Sequence, residues 1–335
     1  MTRIAVMGGG AWGTAIALSL ERRGGHAVTL WAHSPEVAQG MQSSGENKAF
    51  LPGFTLTRQI AVTSDAEEAL REAEIVVSVM PSHHVRASYE SFAPFLNDAQ
   101  LLVSATKGIE DESYLRMTQV LAEVLGCRHL NLRCGALSGP SFAQEVAAGS
   151  PTAVTIASSD MGLAAQVQRE FSSSTLRLYT NDDVIGVELG GALKNVIAIA
   201  AGIVAGLGLG HNSTAALITR GVAEVTRLAV ACGGRQETLA GLSGIGDLVL
   251  TCTGALSRNR WVGIELGKGR PMSEILGDLH GKVAEGVRTT SAALGLARLY
   301  GVEMPIAEQV RAILEGATQP PQAMQELMSR PGRDE

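Results

Sequence analysis

Among the residues able to do chemistry, Lys194 is the most informative. It sits in the run ELGGALKNVIAI, residues 188 to 199, where most other positions are apolar or glycine. An ammonium prefers water, so an apolar helical run is a costly place to keep one. Burial lowers an amine's pKa towards the range in which it trades protons. Gly190 and Gly191 lie one helical turn earlier, and the missing side chains leave room for a small ligand to approach the ammonium. A group of this kind suits the giving and taking of an alcohol proton.

The N-terminus carries a second chemical signal. Gly8-Gly9-Gly10-Ala11-Trp12-Gly13 satisfies GxGxxG between an apolar run and a helical period. Gly8, Gly10 and Gly13 permit the tight turn, close approach of a pyrophosphate and close helix–strand packing, while free N–H groups open the helix. The expectation is a Rossmann-type dinucleotide site. An NAD-selective site carries an acidic residue after the second strand for the ribose 2′-OH. Here Leu30-Trp31-Ala32-His33-Ser34-Pro35 has no carboxylate before Glu36. His33 and Ser34 offer hydrogen bonds to a 2′-phosphate, so NADP(H) is expected to be favoured and NAD(H) accepted; the alternative is that His33 is a surface-loop residue. With Lys194, the pattern points to a nicotinamide-dependent dehydrogenase.

Further candidates each have a plainer alternative. Lys107 follows the fifth predicted strand, where parallel strands end towards a ligand crevice; otherwise it is a solvated loop lysine. Leu137 to Glu145 reads as another strand-to-helix corner, whose N–H groups and Ser141 hydroxyl suit a substrate or merely cap a helix. Asp247, after Gly244 and Gly246, would hold a substrate hydroxyl, pair with Lys194, or cap. Ser257-Arg258-Asn259-Arg260 opens a helix, and a guanidinium fork at a helix N-terminus suits a monophosphate; a solvated basic turn is the alternative. Lys282 to Gly286 is a candidate loop over the cofactor. No histidine, His83 and His84 included, has metal-ligand spacing, so no metal is expected.

Elements must position these groups. Apolar runs at 4–7, 27–31, 60–63, 74–80 and 100–105, then 133–137, 152–156 and 176–179, predict strands. Helical periods are expected at 12–23, 65–72, 83–92 and 111–125. This alternation predicts a doubly wound α/β sheet covered on both faces. Beyond Asn181-Asp182 only helices are expected, at 183–206, 212–232, 236–253, 258–268, 273–279, 289–300 and 304–315. The predicted division is a dinucleotide-binding domain at 1–180, a helical substrate-binding domain at 181–330, and a frayed tail at 331–335. At 335 residues two domains are the better prior, and 45% hydrophobic content is enough for both cores. A net charge of −6, with no basic stripe to offset it, argues against a nucleic-acid partner. Cys127, Cys134, Cys232 and Cys252 form no regular framework, so a reduced, cytoplasmic setting is expected. The opening strand leaves no room for a cleavable signal. Val196 to Leu209 is read as a buried helix too short to cross a membrane.

Taken together, the segments GGGAWGTAIA, NKAFLPG, SATKGIE, LSGPSFAQEV, ELGGALKNVIAIAAGI, GIGDLVLTCTGALSRNR and VAEGVRTT resemble the bacterial-type NAD(P)-dependent glycerol-3-phosphate dehydrogenases. They run from residue 8 to 290 in the family's order. The resemblance implies interconversion of dihydroxyacetone phosphate and sn-glycerol 3-phosphate, supplying glycerophospholipid synthesis. It also implies a helical second domain like that of 6-phosphogluconate dehydrogenases. Matched residue by residue, Lys194 is the proton acceptor, and Lys107, Gly139, Ser141, Asp247, Ser257, Arg258 and Asn259 are substrate contacts. Ala11, Trp12, His33, Lys107, Ala143, Arg258, Val283 and Glu285 are cofactor contacts. Where the family often has serine this chain has Ala11, which keeps the backbone N–H and loses a hydroxyl. A homodimer is compatible with the sequence and not required by it. Two rivals stand beside this: a related 2-hydroxy-acid or phosphogluconate-type dehydrogenase, and a non-catalytic cofactor-sensing protein.

Overall fold

Among the described residues ten strands form, eight of them from the apolar runs expected: Thr2–Met7 (β1), His26–Trp31 (β2), Glu46–Asn47 (β3), Leu51–Thr55 (β4), Ile60–Thr63 (β5), Ile75–Ser78 (β6), Leu101–Ser104 (β7), Arg133–Ser138 (β8), Thr152–Ala157 (β9) and Leu176–Asn181 (β10). The computed structural model describes residues 1–130, 133–279 and 284–331. Its chain divides into two units, Met1–Lys107 with Leu115–Glu188, and Gly108–Tyr114 with Leu189–Glu335.

In the first unit eight strands make one sheet, in the order β10-β9-β8-β7-β6-β1-β2-β5. Alternate residues of β1 show why it is covered twice. Ile4 and Val6 enter one apolar cluster, with Ile16, Leu20, Leu30 and Val77. Ala5 and Met7 enter another, with Val76, Leu102, Tyr89 and Met117. Burying each such large side chain contributes about 1.5–3 kcal/mol. The sheet is not wholly parallel, as the alternation predicted: β8 and β9 pair antiparallel, Ala136 opposite Ala157, and β9 and β10 then run parallel to each other.

Several elements were not foreseen. The β3–β4 hairpin contains Pro52 and Gly53, which read as loop. Helix Pro35–Ser44 buries only Ala38 and Met41 and so gives little periodic signal. Helix Met161–Phe171 buries Leu163, Ala164, Val167 and Phe171 behind an Asp160 cap, a signal that was present. Helix Pro320–Met328 closes the described chain. The helix expected from 111 begins only at Met117, because Glu112 and Tyr114 adopt left-handed conformations, φ 63° and 57°.

The second unit is helical. Val184–Gly206 is 23 residues long, close to the 183–206 expected, and, unlike the shorter Val196–Leu209 stretch, it reaches the length and apolarity of a membrane span; 89% of its most apolar window is nonetheless buried in protein. His211–Ala231, Arg258–Gly267, Met272–Asp278, Glu285–Leu299 and Pro305–Leu314 follow, with short helices between. The single helix expected over 236–253 is broken into Gln236–Leu239, a π turn over Leu242–Gly246 and Asp247–Thr253. Four glycines set the crossing of Val184–Gly206 with Arg258–Gly267. A Cβ on Gly202 would overlap the Arg260 carbonyl, and one on Gly263 the Ile199 carbonyl. Gly206 and Gly267 repeat the contact one turn further on.

Candidate active site

In the first unit the Gly-rich turn joins β1 to helix Ala11–Arg23. Gly8 lies at φ 147°, and a Cβ there would overlap the Val79 carbonyl, while one on Gly13 would overlap Gly8 itself. Gly10 differs, since a Cβ there would meet nothing within 4 Å. Gly10 is also the N-cap and has no side chain to cap the first turn. An open approach to uncapped N–H groups is what a pyrophosphate needs. Trp12 adds a buried indole Nε1 with no hydrogen-bond partner among the described residues. The residues present therefore fit a dinucleotide. Asn47, from the unforeseen hairpin, braces the turn: its buried Nδ2 donates to the Gly9 carbonyl at 2.9 Å and to Thr14 Oγ1 at 2.8 Å. The NKAFLPG segment was noted for its resemblance, but nothing in its spacing disclosed this role.

At the end of β2, His33 is exposed and stands edge-on to Trp31, ring centroids 5.8 Å apart. Ser34 is not free for a 2′-phosphate. Its hydroxyl caps helix Pro35–Ser44 at Val37 N, 3.2 Å, and donates to the Glu36 carboxylate. That hydrogen bond holds the Glu36 carboxyl below its usual range. A fixed negative charge therefore stands two residues from where the sequence showed little to repel a phosphate.

Three of the expected substrate contacts meet in the first unit. Lys107 Nζ and Ser141 Oγ both donate to the Gly139 carbonyl, each at 2.9 Å. Gly139 lies at φ 139°, and a Cβ would approach Val154 Cα to 2.9 Å, so the corner accepts only glycine. Ala143 begins helix Ala143–Ala148 and packs on the apolar cluster behind it.

In the second unit Lys194 is 7% exposed and Asp247 wholly buried. Lys194 Nζ donates to the Asp247 carboxylate and, at 3.0 Å, to Thr251 Oγ1. Thr251 Oγ1 donates its hydrogen bond to the Asp247 carbonyl at 2.6 Å, which turns its lone pairs to the ammonium. A buried charge is tolerated only when paired and hydrogen-bonded in this way. Thr251 was missed in the sequence, although its place four residues after Asp247 on one helix face was a readable signal. Gly190 serves differently from expectation. A Cβ there would come within 2.6 Å of the Ser243 carbonyl, so the missing side chain admits the π turn that leads into Asp247, rather than a ligand.

Ser257 caps helix Arg258–Gly267, its Oγ accepting from Arg260 N at 3.2 Å. Arg258 is exposed to solvent, yet desolvation by surrounding protein pushes its guanidinium below its ordinary pKa, and the Glu285 carboxylate partly restores it. Asn259 is 8% exposed with both ends of its amide engaged, Nδ2 to Asn195 and Oδ1 to Gly286 N. Glu285 opens helix Glu285–Leu299. Val283, expected beside the cofactor, lies outside the described residues, as does Lys282.

Comparison with known proteins shows the family of the chain. A family model described as NAD-dependent glycerol-3-phosphate dehydrogenase N-terminus matches residues 3–164, and one described as the C-terminus of the same enzyme matches residues 183–325. A protein of Acidobacterium capsulatum named glycerol-3-phosphate dehydrogenase (NAD(P)+) is 67% identical over 338 residues, covering 100% of each chain. One of the same name from Koribacter versatilis is 60% identical, over 100% of this chain and 99% of that one. Among solved structures, glycerol-3-phosphate dehydrogenase from Coxiella burnetii superposes with a TM-score of 0.93 at 40% identity, covering 98% of this chain and 99% of the other.

Proposed function

The chain belongs to the NAD-dependent glycerol-3-phosphate dehydrogenase family, and we propose on that premise that it interconverts dihydroxyacetone phosphate and sn-glycerol 3-phosphate with NAD(P)(H), as a cytoplasmic source of the glycerophospholipid backbone. The observation that carries the proposal is the buried Lys194–Asp247–Thr251 set. It holds Lys194 Nζ in a fixed direction by an ion pair and a second hydrogen bond.

Bound NAD(P)H supplies the hydride for C2 of dihydroxyacetone phosphate. Lys194 polarises the C2 carbonyl and gives its proton to the alkoxide oxygen; in the reverse direction the amine takes the hydroxyl proton. Asp247 and Thr251 fix Nζ, so the proton is delivered from a set position. Arg258, with the N–H groups opening its helix, holds the phosphate, whose binding energy positions C2. Lys107, Gly139 and Ser141 are further substrate contacts in this proposal. Gly8, Gly10, Ala11, Trp12, Gly13, His33, Lys107, Ala143, Arg258, Val283 and Glu285 serve the cofactor. NADP(H) is favoured through His33, with Glu36 the opposing charge that keeps NAD(H) acceptable.

Oxidation of NADPH and NADH with dihydroxyacetone phosphate, run beside a panel of 2-keto acids, tests the assignment. Turnover confined to the phosphate ester supports it. Turnover of the keto acids alone would return the chain to the wider 2-hydroxy-acid class.

A further inference from the structure

Asn47 reaches the Gly-rich turn from a hairpin more than thirty residues further along the chain. It is 1% exposed, and both ends of its amide are engaged. Phe50 N donates to Oδ1 at 3.2 Å, while Nδ2 donates to the Gly9 carbonyl at 2.9 Å and to Thr14 Oγ1 at 2.8 Å. Thr14 is wholly buried, and its hydroxyl donates in turn to the Gly10 carbonyl at 2.8 Å. That carbonyl also accepts from Thr14 N at 3.0 Å. The hairpin carrying Asn47 is closed by Glu46, whose carboxylate accepts from Gly53 N at 2.7 Å.

The Asn47 amide has one workable orientation. Its two ends are alike in shape, and only their partners decide between the two flips. Phe50 N–H can only donate, so the oxygen must face it. The Gly9 carbonyl can only accept, so it requires the nitrogen. Thr14 Oγ1, accepting the second hydrogen of Nδ2, keeps its own for Gly10. Two successive carbonyls of the turn are thereby drawn towards buried side chains. In a trans peptide the N–H points opposite to the carbonyl, and no cis bond occurs among the described residues. The N–H groups of Gly10 and Ala11 therefore point away from Asn47 and Thr14. That direction is outward, at a turn where Gly10, Ala11 and Trp12 are only half-buried.

We infer that Asn47 is a positioning residue for the pyrophosphate of the cofactor, acting through the Gly9–Gly10 peptide: by holding the Gly9 carbonyl inward it keeps the Gly10 N–H, beside that of Ala11, turned outward as a donor. The inference rests on the dinucleotide reading of the turn and deepens it. Glycines permit the turn without choosing among the peptide orientations it could adopt. Gly9 has no room for a side chain that would restrict it, since a Cβ would come within 2.8 Å of Ala32 Cβ. A rotated Gly9–Gly10 peptide would set a carbonyl oxygen where the phosphate needs a donor. Asn47 removes by hydrogen bonding the freedom that glycine introduces, and a donor ordered beforehand costs less to order on binding.

Asn47→Ala and Asn47→Asp test this by titration of NADPH and NADH against the folded protein, read by cofactor fluorescence. Alanine removes both donated hydrogen bonds. Aspartate keeps the acceptor for Phe50 N and sets its other oxygen against the Gly9 carbonyl. Losing a hydrogen bond to a charged group weakens binding about ten- to hundredfold, so Kd for NADPH is expected to rise about thirtyfold in the alanine variant. It should rise further in the aspartate variant, and KM for NADPH should rise by more than kcat falls. Kd for NADH should rise by the same factor to within about threefold, because the two cofactors share the pyrophosphate and differ only at the ribose.

A merely structural role for the hairpin, propping the helix Pro35–Ser44 that it follows, would instead act at the ribose end and change the NADPH/NADH ratio. Thr14→Val covers the case in which the Asn47 variants do not fold. It is similar in shape, removes the hydroxyl that links Asn47 to Gly10, and leaves Asn47 its bond to Gly9. On the scale of a neutral hydrogen bond, its Kd should rise about fivefold for both cofactors. An NADPH Kd within twofold of wild type in these variants, or a rise confined to one cofactor, would overturn the inference. Wild type run in parallel separates the two levels of the account. Failure of wild type to bind either cofactor would sink the dinucleotide reading itself, whereas wild-type binding that Asn47 substitutions leave unmoved would sink only the role of Asn47.

Discussion

At the scale of single residues, the second unit spends its polar groups on holding two cations, Lys194 and Arg258, under different rules. Lys194 is buried and paired, whereas Arg258 is exposed and faces only the partial compensation of Glu285. A desolvated guanidinium without full compensation is a poor surface residue and a good anion site. Hydrogen bonds to charged groups contribute about 1.5–3 kcal/mol, about ten- to hundredfold in rate. Arg258→Ala should therefore lower kcat/KM for dihydroxyacetone phosphate by about a hundredfold, and Arg258→Lys, which keeps the charge but loses the fork, by about tenfold. Neither should change the slow turnover of unphosphorylated dihydroxyacetone by a comparable factor, measured at saturating NADPH with cofactor Kd determined separately. Equal losses on both substrates would mean that Arg258 does not read the phosphate. Cofactor choice turns on two other residues. His33→Asp should shift the NADPH/NADH ratio of kcat/KM towards NADH by about tenfold or more, and Glu36→Gln should move it the other way. A ratio unmoved by both would place the ribose elsewhere.

At the scale of elements, the sequence showed strands well and helix starts unevenly. The eight sheet strands follow from runs such as Ile75–Ser78, buried on both faces. The reversal of β9 was hidden, because a buried apolar strand looks the same in either direction. The break over residues 236–253 was hidden as well, since its glycines make way for backbone carbonyls rather than for turns of familiar composition. Helix Pro305–Leu314 has no side-chain cap of its own. Glu224, from helix His211–Ala231, supplies one: its carboxylate accepts from Ile306 N at 2.9 Å and Ala307 N at 3.0 Å. Burial pushes its pKa up to about 7, against the lowering effect of those two hydrogen bonds. A carboxyl whose folded pKa lies above its unfolded value binds protons more tightly when folded. Its contribution is most favourable below the unfolded value near 4.5 and is lost as pH rises to about 7. Glu224→Gln imitates the protonated form and cannot titrate. The Tm of wild type relative to the variant should therefore rise as pH falls from 7 to 5. A flat difference across that window would show that Glu224 is not the group responsible.

At the scale of the whole molecule, the chemistry was more legible than the architecture that supports it. Lys194, Asp247 and Arg258 could be read because charge in apolar or helix-opening surroundings is costly and needs a reason. Asn195 and Asn47 could not be ranked, because a neutral polar residue carries no such cost until its partners are known, whereas Thr251 was overlooked despite its spacing from Asp247. The division of the chain was also finer than any composition change showed. The units part at Glu188–Leu189, inside one continuous helix, and Gly108–Tyr114 groups with the second unit, where the Tyr114 ring fills the space left by Gly295. What unites these levels is the claim that Lys194 carries the proton of the reaction. Its most direct test is steady-state NADPH oxidation with dihydroxyacetone phosphate by wild type and Lys194→Met, which keeps the apolar stem and removes the ammonium. General acid–base catalysis contributes about 10²–10⁴ in rate, so kcat should fall by that factor while NADPH Kd stays within about threefold. A variant that keeps more than about a tenth of the wild-type kcat would contradict the account.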